Sequence, residues 1–172
     1  MNYIENLLQG QKVKWKTLGE VAEYIRGITY NKTKELQKNE DGWKVLRANN
    51  ISLSSNSLNF DDVKIIDKNV KVRENQKLTK GDVLICAGSG SKEHIGKVAY
   101  ISNDLDYTFG GFMGVIRGNK EINSRFLFHI LMSDLFRNYL SSVLSSSTIN
   151  NLNANIVNSC KIPLPPLAVQ KE

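Results

Sequence analysis

The chain has 172 residues, and 23 lysines and arginines against 17 aspartates and glutamates give it a formal net charge of +6. Hydrophobic residues make up 41% and charged residues 23%, which is ordinary globular usage and excludes a wholly disordered chain. No apolar run approaches the roughly 20 residues of a membrane span, and the N-terminus lacks the apolar core of a signal peptide. A cytoplasmic protein with no membrane segment and one main domain is therefore expected.

The cysteines and histidines argue against a disulfide and against a structural metal. Cys86 and Cys160 lie far apart in apolar segments, a pattern typical of two buried thiols. His94 and His129 cannot complete a four-ligand zinc site with cysteines at that spacing.

Positive charge is concentrated near the N-terminus. The segment from Lys12 to Lys34 contains six basic residues against only Glu20 and Glu23. Such a local excess suits a polyanion such as DNA, although a solvated surface has the same composition.

Short segments rich in Val, Ile and aromatic residues, bordered by Gly, Asn, Asp or Ser, predict a series of strands. A short helical turn at 17–19 is expected to precede the first of them. The predicted strands are 20–27, 43–51, 62–67, 82–88, 95–101 and 108–118.

The segment 122–144 is the clearest helix. Asn123 or Ser124 is a candidate N-cap, apolar residues recur at i, i+4 along two rows, and a break is predicted near Ser133–Asp134. Strands followed by a concentrated helical segment predict an α+β fold with a curved, mostly antiparallel sheet of short strands. The residues expected to pack the helix on the sheet are Leu127, Phe128, Leu131, Leu135 and Phe136.

All three prolines lie in the last ten residues, which predicts an extended exit followed by a new helix. Pro166 can occupy the first turn of a helix over 166–172 that leaves the body. The sequence thus divides into a main domain at 1–162 and an exit at 163–172, in a chain expected to be truncated or half-length. So short a helix buries little surface, and we therefore expect a monomer or a weak homodimer.

The sequence lacks the common nucleotide-binding and hydrolase motifs. The glycine-rich segment 88–96 has Glu93 where a dinucleotide fingerprint requires Gly, and Val98 follows Lys97 where a P-loop requires Ser or Thr. No nucleophile elbow is present. Asp62-Val63-Lys64 matches half of a metal-dependent nuclease pattern, with Asp41 as an upstream carboxylate, so a nuclease remains one alternative.

Five segments occur in an order and spacing that resembles one family. They are WKTLGEVAEYIRG, WKVLRANNI, LTKGDVLICAGSGSKEHIGKVAYI, NSRFLFHILMS and NNLNANIVNSCKIPLPPLAVQKE. Together they resemble the target recognition domain of type I restriction–modification specificity (S) subunits, from Trp15 to the end of the chain. Members of that family usually carry two such domains joined by long helices, whereas this sequence contains one.

This resemblance implies sequence-specific binding of double-stranded DNA, with one half of a bipartite target recognised and no catalytic site on the chain itself. It also implies methyltransferase (modification) subunits and an endonuclease–translocase (restriction) subunit as partners. S-adenosylmethionine, ATP and Mg²⁺ would belong to those partners, and this chain would hold no cofactor. A DNA-recognition domain from a single-chain restriction–methylation enzyme is the other alternative.

Polar and basic residues in the predicted loops are the candidate DNA contacts. Lys and Arg bind phosphates, Arg can pair with guanine and Asn with adenine, and Ser or Thr can contact either base or backbone. The candidates are Arg26, Thr29, Tyr30, Asn31, Lys32, Arg47, Asn49, Asn50, Ser89, Ser91, Lys92, Glu93, His94, Ser145, Ser146, Ser147 and Thr148.

Overall fold

The computed structural model describes residues 8, 10, 13–90, 92–145 and 151–171, with the side chain of Lys92 outside the description. The elements are β1 (Lys14–Thr17), α1 (Leu18–Val21), β2 (Ala22–Arg26), β3 (Glu35–Leu36), β4 (Trp43–Leu46), β5 (Lys64–Ile66), β6 (Val83–Cys86), β7 (Val98–Tyr100), β8 (Thr108–Phe109), β9 (Met113–Gly118), α2 (Ser124–Met132), α3 (Asp134–Ser145), α4 (Ala154–Ser159) and β10 (Lys161–Leu164). Short 3₁₀ helices occur at Lys32–Lys34, Ala48–Asn50, Glu74–Gln76, Lys92–His94 and Val169–Lys171.

The described strands form three sheets, with orders β2-β9-β6-β7, β3-β5-β4-β8 and β1-β10. Only the β4–β8 pairing among these strands is parallel, so the predicted α+β class with mostly antiparallel pairing is confirmed. The expectation of one sheet is wrong. The predicted strand 108–118 is interrupted at Gly110–Phe112, where the chain leaves one sheet after Phe109 and enters another at Met113.

The sheet β2-β9-β6-β7 is covered on both faces. Val83 and Ile85 of β6 belong to the hydrophobic core beneath the helices. Leu84 and Cys86, on the opposite face, belong to a second core shared with Leu46 of the neighbouring sheet. Alternate residues of a strand point to opposite faces, and both faces here are covered, which explains why all of β6 is apolar and buried.

Each predicted strand is longer than the strand observed within it. In two of them, side-chain capping ends the strand or delays its start. In the predicted strand 43–51, Asn50 accepts a hydrogen bond from the backbone N–H of Arg47 at 2.8 Å, and the chain turns into a 3₁₀ helix. At 20–27, the helical turn extends further than expected and occupies α1, because the Thr17 N–H donates to Glu20 at 2.7 Å.

The helical segment is a pair of helices that breaks where the sequence predicts. The Asn123 side chain accepts from the N–H groups of Arg125 and Phe126 and starts α2. The Ser133 hydroxyl donates to the Ile130 carbonyl at 2.6 Å and ends it. The expected packing residues Leu127, Phe128, Leu131 and Phe136 are buried, and Leu135 is half-buried.

The C-terminal segment differs from the predicted exit. Pro163 pairs with Trp15 in the β1-β10 sheet. Beyond it, the described residues contain only the 3₁₀ turn Val169–Lys171 in place of the expected helix. Gln170 is buried and donates to the Pro165 carbonyl at 2.8 Å, so this turn packs on the body and does not leave it. The division between 162 and 163 remains a prediction.

Both cysteines are buried free thiols, as the sequence indicates. Burial raises the pKa of Cys86 to about 11 and the pKa of Cys160 to about 12, so both remain protonated near neutral pH. Among the described residues, no helix has both the length and the apolar character needed to cross a membrane.

Replacing Phe128 with Ala tests the helix–sheet contact. Phe128 is 8% exposed, and its ring centroid lies 5.8 Å from that of Tyr100 on β7. We expect Phe128→Ala to lower the free energy of unfolding by about 3–5 kcal/mol, measured by urea denaturation. Phe60→Ala is the matched control, because Phe60 is 46% exposed, and it should cost about 1 kcal/mol or less. Equal losses would contradict this packing.

Candidate nucleic-acid interface

Strand register brings two of the predicted loops to one edge of the sheet. Arg26, the last residue of β2, lies opposite Gly114. Cys86, the last residue of β6, lies opposite Met113. The loops that follow β2 and β6 therefore flank the start of β9.

The second sheet adds a third loop at the same place. Leu46 ends β4 and pairs with Phe109, which ends β8. The Gly110 N–H donates to the Leu46 carbonyl at 2.9 Å, and the Ile28 N–H donates to the Phe109 carbonyl at 2.8 Å. The loop after β4 is thereby joined to the loop after β2 through the short connection between β8 and β9.

This convergence depends on glycines that let two backbones cross. A Cβ on Gly27 would lie 2.0 Å from the Gly110 carbonyl oxygen and 2.5 Å from that of Phe109. A Cβ on Gly111 would lie 2.9 Å from Cγ2 of Thr29. Glycine at position 27 is required by close backbone approach, since no side chain fits between these atoms.

The three loops line one open cleft of about 860 Å³. Eight of the candidate residues lie in it, drawn from segments that are far apart in the sequence. They are Arg26, Thr29, Tyr30, Lys32, Arg47, Asn49, Ser89 and His94.

Within the cleft, Asp62 holds two of the candidate base-contacting side chains. Nη2 of Arg47 donates to Oδ2 of Asp62 at 2.6 Å, and Nδ2 of Asn49 donates to the same oxygen at 3.2 Å. Nε of Arg47 is buried and has no hydrogen-bond partner among the described residues. The carboxylate thus orients a guanidinium and an amide side by side.

A second carboxylate, Glu35, lines the cleft beside Lys32. Lys64 donates to Glu35 at 2.7 Å, and this hydrogen bond lowers the pKa of the carboxyl, which stays ionised. Burial raises the pKa of Tyr30, so its hydroxyl remains a hydrogen-bond donor at neutral pH. The cleft therefore mixes three basic side chains with two carboxylates.

Sequence reasoning did not name Glu35 or Phe112, and it considered Asp62 only as part of a nuclease pattern; all three line this cleft. Phe112 is 67% exposed and lies on the connection between β8 and β9. The Gly-Gly-Phe run inside a predicted strand was the signal that could have revealed it, because paired glycines interrupt strands and permit close backbone approach.

Some candidates lie elsewhere. Asn50 is fully buried, accepts from the backbone of Arg47 and donates to the Asn59 and Asp62 carbonyls, so it is a structural residue and is removed from the DNA contacts. Glu93 and Ser145 line a different groove of about 420 Å³ beside α3 and are not among the residues that line the cleft.

Two candidates are described with less detail, and four are not described. Asn31 is exposed beside the cleft, and its side chain accepts from the Thr33 N–H at 3.0 Å. Lys92 is described only by its backbone, at the start of the 3₁₀ helix Lys92–His94. Ser91, Ser146, Ser147 and Thr148 lie outside the described residues.

The nuclease pattern does not assemble. Asp62 pairs with Arg47, while Asp41 pairs with Lys68 at 2.5 Å. Lys64 is occupied by Glu35. Over the part of the chain that the structure describes, no three His, Cys, Asp or Glu residues gather as a metal site would require.

Comparison with known proteins points to one family. The family described as type I restriction modification DNA specificity domain matches residues 11–172. The EcoKI specificity subunit of a type I restriction enzyme from Escherichia coli K12 is 38% identical over 152 residues, 88% of this chain and 32% of the relative. The StySPI specificity subunit from Salmonella potsdam is 34% identical over 160 residues, 91% of this chain and 34% of the relative. The chain thus spans about a third of each.

Solved structures share the fold. The HsdS subunit from Thermoanaerobacter tengcongensis superposes with a TM-score of 0.67 and 24% identity, covering 92% of this chain and 39% of that one. The type I system S subunit from M. genitalium gives 0.63 and 17%, covering 96% and 38%. A chain from a study of type I restriction–modification complex assembly gives 0.68 and 19%, covering 97% and 40%.

Adding a methyl group at Gly27 tests the backbone crossing. We expect Gly27→Ala to lower the free energy of unfolding by about 1–3 kcal/mol, because its Cβ overlaps two carbonyl oxygens. Gly90→Ala is the control in the same cleft, since a Cβ there meets no atom within 4 Å among the described residues, and it should change stability by less than about 0.5 kcal/mol. Urea denaturation of both variants measures this difference. If Gly27→Ala leaves the free energy of unfolding unchanged, the two backbones do not cross as closely as described.

Proposed function

The chain belongs to the family of type I restriction modification DNA specificity domains, and we propose that it binds DNA sequence-specifically and recognises one half of a bipartite target. The observation that carries this proposal is the cleft. Three loops named from sequence as DNA-contacting converge there through strand register, with basic and amide side chains facing one space.

Two classes of contact follow from how the side chains are held. Arg26 and Lys32 are exposed at the cleft and suit phosphates, which require charge more than fixed geometry. Arg47 and Asn49 are oriented by Asp62, and fixed planar groups are the ones that pair with guanine and adenine edges. We assign positioning to the first pair and base recognition to the second.

The two carboxylates favour specificity over tight general binding. Glu35 and Asp62 repel phosphates wherever Arg47 and Asn49 fail to find their base partners. A carboxylate can also accept a hydrogen bond from the cytosine amino group. A cleft that bound a polyanion by charge alone would bind it more tightly without these two carboxylates.

We further propose that the chain acts in a cytoplasmic complex with methyltransferase and restriction subunits. S-adenosylmethionine, ATP and Mg²⁺ would then be bound by those subunits, and this chain would supply recognition. The similar relatives are named as specificity subunits, which favours a multi-subunit assembly over a single-chain restriction–methylation enzyme. The weak homodimer expected from the sequence remains a prediction.

Charge reversal at Lys32 tests phosphate binding. We expect Lys32→Glu to weaken binding to all duplex sequences and to flatten the dependence of log K on log salt concentration by about 0.9 per lost phosphate contact. Fluorescence anisotropy with several unrelated duplexes at graded salt measures both. Lys120→Glu is the control with equal charge change, because it lies beyond the far end of β9, about 20 Å from the cleft. If Lys120→Glu has the same effect, the change in net charge explains the weaker binding, and Lys32 contacts no phosphate.

Replacing Arg47 separates base recognition from charge. Arg47→Lys keeps the charge but loses the planar pair of donors, so the salt dependence should stay unchanged. Binding to the preferred sequence should weaken by about 1–3 kcal/mol, with relaxed preference at one base pair. Affinities for the preferred duplex and its single-base variants measure this. If Arg47→Lys retains full discrimination, Arg47 contacts no base.

A further inference from the structure

Phe112 has an exposure that the fold does not explain. It is the most exposed of the large hydrophobic side chains in the described part of the chain, at 67%. Exposed apolar rings carry no folding benefit, since their surface stays in water. The ring lies in the cleft of the proposed DNA interface.

The backbone that carries this ring is fixed by hydrogen bonds. The Phe112 carbonyl accepts from the N–H groups of Ala87 and Gly88 at 2.8 and 2.9 Å. Met113, the next residue, donates to Gly110 at 2.8 Å and accepts from Gly27 at 3.0 Å. A Cβ on Gly88 would lie 3.1 Å from Cδ1 of Phe112, so the loop after β6 passes close beside the ring. These hydrogen bonds tie the backbone at Phe112 and Met113 to the loops after β2 and β6.

Charged and polar side chains share the cleft with the ring. Ile28 and Met113 also line the cleft, but both are buried and form its floor. At the residue preceding Phe112, Nε of Arg26 donates to the Gly111 carbonyl at 3.5 Å. An exposed phenyl ring in a cleft that also holds three basic side chains and two carboxylates fits a ligand that is itself polar but presents an apolar feature.

DNA presents such a feature in the major groove. There the thymine C5-methyl group is the apolar mark among hydrogen-bond donors and acceptors, and phenylalanine is one of the side chains that contact it. Resting on the proposed function, we infer that Phe112 is a specificity-determining residue that recognises the methyl group of one thymine in the half-site. Arg47 and Asn49 then read neighbouring base edges by hydrogen bonding.

The test uses two pools of randomised duplexes that differ only by that methyl group, one synthesised with thymidine and one with deoxyuridine throughout. The 172-residue chain, Phe112→Ala and Phe60→Ala are each used to select bound duplexes, which are then sequenced. Phe60→Ala is the control, because it also removes an exposed phenyl ring. Phe60 is 46% exposed, packs at a tilt against Tyr107 and does not line the cleft.

We expect the unaltered chain and Phe60→Ala to enrich thymine at one position by about fivefold or more. About fivefold is the lower end of the loss in affinity that one mismatched base pair typically causes. The preference at that position should vanish in the deoxyuridine pool, while preferences elsewhere persist. Phe112→Ala should lack the thymine preference in both pools and keep the others.

Failure of the inference and failure of the proposed function give different results in this experiment. If the unaltered chain selects a sequence but has the same preferences in both pools, or if Phe112→Ala keeps the thymine preference, methyl recognition is wrong and DNA recognition stands. If Phe112→Ala weakens binding in both pools equally without changing any preference, the ring separates stacked bases as an apolar wedge, which also overturns the inference. If no sequence is enriched from either pool, the proposed function itself fails, and this inference fails with it.

Discussion

The crossing of two backbones at Gly27 and Gly110 is the contact on which the rest of the cleft depends. It joins the sheet that contains β2 to the sheet that contains β4 and β8, through hydrogen bonds from Ile28 and Gly110 to strand-end carbonyls. Because a Cβ at Gly27 would lie 2.0 Å from an oxygen, the two sheets can approach this closely only with glycine there. Every loop of the proposed interface either takes part in this crossing or hydrogen-bonds to the connection that forms it.

The interior supports that edge by covering the central sheet twice. Helices pack on one face and the second sheet on the other, so the strands that carry the cleft loops are anchored in two hydrophobic cores. The far side of the sheet is fixed by Asp82, which is 1% exposed and accepts from Arg117 at 2.7 and 2.9 Å. A buried carboxylate of this kind needs its partner, because an unpaired charge there would be costly. The two hydrophobic cores thus hold the strands in place, and the strands in turn hold the cleft loops at their ends.

Electrostatics within the cleft favours discrimination over adhesion. Asp62 binds Arg47 and Asn49 in the unbound chain, so these side chains are oriented before any ligand arrives. Exposed ion pairs of this type contribute little to folding stability, which leaves orientation as their main effect. The exposed Phe112 adds an apolar feature to the same surface, and the combination of fixed donors, carboxylates and a phenyl ring is what differs from a simple basic patch.

The sequence by itself determined those features that depend on neighbours along the chain. The helix pair broken at Ser133, its cap at Asn123, the burial of both thiols and the α+β class all follow from local periodicity, capping and composition. Tertiary structure alone decided the division into separate sheets and the contents of the cleft. Folding of the loop after β4 buries Asn50 and brings Asp62 to Arg47. The pairing of β4 with β8 brings Phe112 to the same loop. Register and backbone crossing join residues distant in sequence, and one pairing choice sets which side chains face outward, so no local pattern encodes it.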